Sequence, residues 1–109
     1  MSKLNGSWKI TMHTYMGDMR STLYCTVEGD KLVGHCRDAA NGAEAPLDNG
    51  VVTGNKYEYD ITIKTAVGEM TNHLVGELGE DDVIRGTSSN AMGSFEFEAV
   101  RGEFYLNLW

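Results

Sequence analysis

The sequence predicts an all-β fold: an eight-stranded antiparallel up-and-down β-barrel, with room for a short ninth strand at the C-terminus. Three observations carry this. Glycines punctuate the chain at Gly17, Gly29, Gly42, Gly54, Gly68, Gly79, Gly93 and Gly102, the turn spacing of antiparallel sandwiches and barrels. The segments between them alternate apolar and polar residues, the period of a strand with one buried face. A longer period of 25 or 26 residues, marked by Gly17, Gly42, Gly68 and Gly93, divides the chain into four strand–turn–strand units.

The first unit opens with a strand from Ser7 to Tyr15. It sets Trp8, Ile10, Met12 and Thr14 on one face and Lys9, Thr11, His13 and Tyr15 on the other. A two-residue turn at Gly17-Asp18 would pair Thr14 with Ser21, Met12 with Leu23, Ile10 with Cys25 and Trp8 with Val27, keeping the apolar weight on one side. A second turn at Gly29-Asp30 sets Cys25 opposite Gly34 and Leu23 opposite Cys36. In the second unit, Glu44 to Val52 contains Pro46 and Gly50, and two facings stay open: Leu47 and Val51 inward, or Asp48 and Val52. The third hairpin pairs Thr65 with Asn72, Ile63 with Leu74, Ile61 with Gly76 and Tyr59 with Leu78. The fourth, turning at Met92-Gly93, pairs Asn90 with Phe95, Ser88 with Phe97, Gly86 with Ala99 and Ile84 with Arg101. Closing the meander removes the sheet edges that an open sheet would expose. An immunoglobulin-like sandwich is the competing architecture, and it would need long crossovers where this chain has short turns.

Composition narrows the partners. The chain has 109 residues, read as a single domain over 1–109, with a formal charge of −7. That acidity argues against nucleic acid, whose phosphates call for a Lys/Arg footprint, and against an anionic membrane surface. No apolar run reaches the roughly 18 residues of a membrane helix, and the first residues do not read as a signal peptide. Cys25 and Cys36 share the inward face on a diagonal, too far apart for a disulfide. Two reduced buried thiols fit a cytoplasmic location. His13, His35 and His73 fall on the outer face without ligand spacing, so neither a metal nor a cofactor is expected.

Gly6-Ser7-Trp8 on the first strand, Arg101 on the last and the repeated x-Met-Gly hairpins together resemble the small bacterial lipocalin-like proteins of the calycin group. The resemblance implies that Arg101 packs over Trp8 as a structural plug at the closed end of the barrel. It also implies an interior that binds a small molecule. The chain is shorter than lipocalins and lacks the helical lid of fatty-acid-binding proteins, so a long lipid is not implied.

The two ends of such a barrel differ. The turns at Gly29, Gly54, Gly79 and Gly102 are polar, whereas Tyr15-Met16, Ala39-Ala40, Ala66-Val67 and Ala91-Met92 present apolar tips. Those tips read either as a portal or as a cap or interface. Below them the inward positions Thr14, Ser21, Thr65, Asn72, Ser88 and Asn90 are polar, giving way to Met12, Leu23, Ile61, Ile63, Leu74 and Phe97. An apolar cavity with a few converging polar groups is the usual form of a small-molecule site, here for a small hydrophobic or aromatic molecule. The alternative is a cofactor-independent isomerase, lyase or cyclase. It would use Asp38 or Asp48 as general base, with Asn72 or Asn90 and Tyr59 or Tyr57 stabilising developing negative charge. A turn residue is the competing role for Asp38. The apolar tail from Phe104 to Trp109 reads as the ninth strand or an exterior segment, and as a homodimer contact.

Overall fold

A computed structural model describes residues 3–65 and 68–104. The strands are β1 (Gly6–Thr14), β2 (Gly17–Glu28), β3 (Lys31–Asp38), β4 (Glu44–Pro46), β5 (Asp48–Thr53), β6 (Lys56–Thr65), β7 (Gly68–Leu78), β8 (Ile84–Asn90) and β9 (Gly93–Arg101). All pairings are antiparallel, and β1-β2-β3-β5-β6-β7-β8-β9 forms the closed ring, with β9 returning to β1. Among the described residues the extra strand is β4, which bonds only to the upper part of β3 and arises from a break in the fourth strand. Residues 105–109 of the expected C-terminal strand and dimer contact lie outside the described residues, as do the tip residues Ala66 and Val67.

At the polar end the hairpin registers are those expected: Cys25 stands opposite Gly34 and Leu23 opposite Cys36. At the apolar end they differ. Thr14 meets Gly17 rather than Ser21, Thr65 meets Gly68 rather than Asn72, and Asn90 meets Gly93 rather than Phe95. The tip is the pair before the glycine, and the glycine begins the returning strand at φ 109°, 122° and 134° in the three hairpins. Hairpins of this class need a positive φ at the residue where the chain re-enters the ladder, and glycine supplies it without steric cost. Each displacement is an even number of residues, so the same side chains still point inward.

The Glu44–Val52 stretch follows neither expected facing. Leu47 and Val52 pack on the core, while Asp48 and Val51 are exposed. Asn49 has φ 56°, and the ladder with β6 slips between Asp48 and Val51, so a bulge changes which parity faces inward. Gly50 crosses the backbone of Leu32 so closely that a Cβ there would sit 2.1 Å from the Leu32 carbonyl oxygen.

The core fills the end of the barrel below the cavity. Leu23, Ile84, Ala99, Trp8 and Tyr59 are wholly buried, with Leu32, Tyr57, Leu78 and Phe97 around them. Each large apolar side chain so placed contributes roughly 1.5–3 kcal/mol. Trp8 stands opposite Arg101, whose guanidinium lies 4.3 Å from the indole centroid. Arg101 also donates to the carbonyls of Lys3 and Asn5 and pairs with Asp82 at 2.9 Å. The Trp8 Nε1–H donates to the Leu4 carbonyl at 2.9 Å. This fork fastens the N-terminal segment across the barrel floor and closes that end. Past Gly102 the chain crosses the outer wall: Phe104 N–H donates to Thr22 Oγ1, Arg37 donates to the Phe104 carbonyl, and Tyr24 donates to Glu103.

Candidate functional site

The end opposite the Trp8–Arg101 plug holds a cavity of about 670 Å³. Alternation decides what reaches it. The inward residues of β1, Ile10, Met12 and Thr14, face Ser21 and Met19 from β2. Across the barrel, Tyr59, Ile61 and Ile63 of β6 stand beside Leu74, Asn72 and Met70 of β7. Asn90 and Phe95 complete the wall, and Cys36, Asp38 and Ala45 enter from β3 and β4.

Of the residues expected at the site, Met12, Thr14, Ser21, Ile61, Ile63, Leu74, Asn90, Asp38, Asn72 and Tyr59 line this cavity. Leu23, Ser88 and Phe97 do not. All three are buried instead; the observed register moves Leu23 from opposite Met12 to opposite Trp8, and Phe97 from opposite Ser88 to opposite Gly86. Asp48 is exposed on the bulged strand, away from the cavity, because the bulge turns it outward. The Thr65 side chain lies outside the described part of the structure.

Sequence reasoning missed Met19, Met70 and Phe95, although the repeats mark them. Each lies two residues after the hairpin glycine, at Gly17, Gly68 and Gly93. With the tip at the pair before the glycine, all three line the cavity near its mouth, where Met19 stays 51% exposed. Three methionines, Met12, Met19 and Met70, thus share the site with Phe95, giving a polarizable, adaptable lining. Tyr15, from the first hairpin tip, closes on Phe95 with ring centroids 5.9 Å apart.

The cavity also opens through the wall. The β5–β6 ladder ends at Asp48 and Asp60, and above that point β6 bonds to β7 alone while β4 bonds to β3 alone. A strand flanked on both sides presents only alternate residues to a barrel interior. Here Ile61, Thr62, Ile63 and Lys64 all touch the cavity, as do Glu44, Ala45 and Pro46 opposite. A lateral seam between β4 and the upper half of β6 therefore joins the interior to solvent, and Ile63, although inward, is 37% exposed. Pro46 has no N–H with which to extend a ladder across it.

The polar groups are placed selectively. Asp38 Oδ1 accepts the backbone N–H groups of Ala40 at 2.7 Å and Asn41 at 3.3 Å, which forms the loop at the rim. Met92 N–H donates to Asn90 Oδ1 at 2.7 Å, and Asn90 Nδ2 donates to Asn72 Oδ1 at 2.8 Å. At the floor, the Tyr59 hydroxyl lies 3.9 Å from Cys36 Sγ. Burial holds the Tyr59 phenol well above its ordinary value, with further upward contributions from Cys36 and Tyr57. Burial also pushes the Cys36 thiol up to about 12. Both stay protonated at neutral pH, so the floor offers neutral donors and no thiolate nucleophile. Cys25, free like Cys36, donates to the Leu4 carbonyl at 3.1 Å, and burial raises it to about 11.

No protein-family profile matches the chain, and no curated protein sequence matches it significantly. Among solved structures, the fold is similar to that of a redesigned β-barrel, with a TM-score of 0.72, 18% identity and 93% of each chain covered. A likeness at that identity speaks to the barrel architecture alone.

Proposed function

We propose that this chain is a small lipocalin-like barrel that binds a small hydrophobic or aromatic molecule in its interior. The observation that carries the reading is the cavity of about 670 Å³, within the roughly 300–1,000 Å³ range of small-molecule sites. Its walls are mainly apolar side chains, interrupted by a few polar groups, and the opposite end is plugged by core residues. Of the two carboxylates considered as bases, Asp38 has one oxygen engaged by its own loop and Asp48 stands away from the cavity. Binding therefore has more support than acid–base catalysis. The test is titration with N-phenyl-1-naphthylamine, a fluorophore that brightens in apolar surroundings. The wild-type protein should give a saturable, one-to-one enhancement. Ile63→Trp, which enlarges a partly exposed side chain at the mouth, should weaken it at least tenfold. An enhancement that fails to saturate, or that survives the substitution unchanged, would overturn the assignment.

A further inference from the structure

The hydrogen bonds at the cavity wall specify more than an apolar ligand. The Asn90 amide is oriented by a backbone group: Met92 N–H can only donate, so the atom it meets is Asn90 Oδ1. The other end of that amide is then a donor, and the atom it meets on Asn72 is Oδ1. The orientation of Asn72 follows. Its Nδ2 group has no partner among the described residues, and Asn72 lies on the cavity wall beside Ile61 and two residues above Leu74. The Tyr59 hydroxyl, one inward position below Ile61 on the neighbouring strand, has among the described residues only the sulfur of Cys36 as a hydrogen-bond partner, a weak acceptor. Asn72 Nδ2 and the Tyr59 hydroxyl are thus donors whose acceptors, among the described residues, are missing or weak.

Charge adds a second restriction. The charged residues of the site, Arg20, Lys64, Asp38 and Glu44, all stand at the rim or along the seam, two of each sign. Deeper in the cavity no lining side chain is charged, and an ionised ligand would lose its hydration there without a counter-charge. Resting on the binding reading above, we propose that the ligand is a neutral, largely apolar ring system carrying one hydrogen-bond acceptor of the ketone or ether type, and that Asn72 Nδ2 is the group that recognises it.

1-Indanone and indane form a probe pair of nearly equal size that differ by a carbonyl in place of a methylene. Titration of 15N-labelled protein should show 1-indanone binding about tenfold more tightly, the worth of one net hydrogen bond. The Asn72 side-chain amide signals should move with the ketone and not with the hydrocarbon. Asn72→Leu keeps the side-chain shape and should bring the two probes to within about twofold. Asn72→Asp, which keeps the shape and replaces the donor with a carboxylate, should also abolish the preference. Equal binding of both probes to the wild-type protein, or a preference that survives both substitutions, would overturn the assignment of Asn72 while leaving the binding reading standing. Failure of both probes to bind the wild-type protein would overturn both.

Discussion

Tyr57→Phe should stabilise this protein, the reverse of the usual effect of removing a buried tyrosine hydroxyl. Tyr57 is 2% exposed and its hydroxyl oxygen has no hydrogen-bond partner among the described residues. Its ring lies in the hollow left by Gly76, where a Cβ would stand 2.8 Å from the ring carbon bearing the hydroxyl. The other face stacks on Tyr59 at 5.5 Å between centroids. The substitution removes one oxygen and leaves that packing in place. A buried hydroxyl without a partner costs roughly 1–3 kcal/mol of desolvation, whereas a satisfied one contributes about 0.5–1.5 kcal/mol. The phenylalanine variant should therefore gain about 1–2 kcal/mol, or roughly 4–10 °C in Tm for a domain near this length. Urea titration followed by tryptophan fluorescence, with the slope unchanged between variants, gives the value. A loss of 1 kcal/mol or more would refute the reasoning, since it would mean that the hydroxyl has a partner.

Two further outcomes follow from the buried groups and the bulge. Stability should fall as pH rises from about 9 to 12. The thiols of Cys25 and Cys36 ordinarily titrate near 9.0 but are held to about 11 and about 12 by burial. Their folded-state pKa values are raised, so the stability they contribute is fully present below pH 9 and is lost as pH climbs through the folded values. Paired urea titrations at pH 8 and 10.5 check this, and Cys25→Ala with Cys36→Ala should flatten that part of the profile. Gly50→Ala should lower stability by roughly 1–3 kcal/mol, the usual cost of forcing extra atoms into a packed site with backbone shifts. Calorimetry measures it, and a Tm within about 2 °C of the wild type would contradict the crossing of Gly50 over Leu32.

Much of this architecture was legible because alternation is robust to errors in turn placement. Moving the tip from the glycine to the pair before it displaced three hairpins by even numbers of residues, which preserved the inward set. The same error hid part of the site. Met19 and Met70 looked like turn neighbours, and Phe95 was paired with Asn90 where it meets Ser88; in the observed register all three line the cavity. The strand after Pro46 was illegible for another reason. A bulge inverts parity, and its trigger is tertiary: Gly50 passes over the Leu32 backbone, a contact between distant parts of the sequence. The seam between β4 and β6 is equally non-local, since it depends on where one ladder stops. Asp38 could be read either as a base or as a turn residue; it ends β3 and lines the cavity, while its Oδ1 accepts the backbone N–H groups of Ala40 and Asn41.

The central claim is that a small apolar molecule occupies the cavity among Met12, Met19 and Met70. Methionine-methyl NMR tests it most directly, because the other methionines in the described structure, Met16 and Met92, sit on the exposed tips at 83% and 63% exposure. On titration with N-phenyl-1-naphthylamine, the methyl signals of Met12, Met19 and Met70 should shift together and saturate at one equivalent, with Met16 and Met92 unmoved. Shifts confined to Met16 and Met92, or no saturable shift at any methionine, would contradict the account.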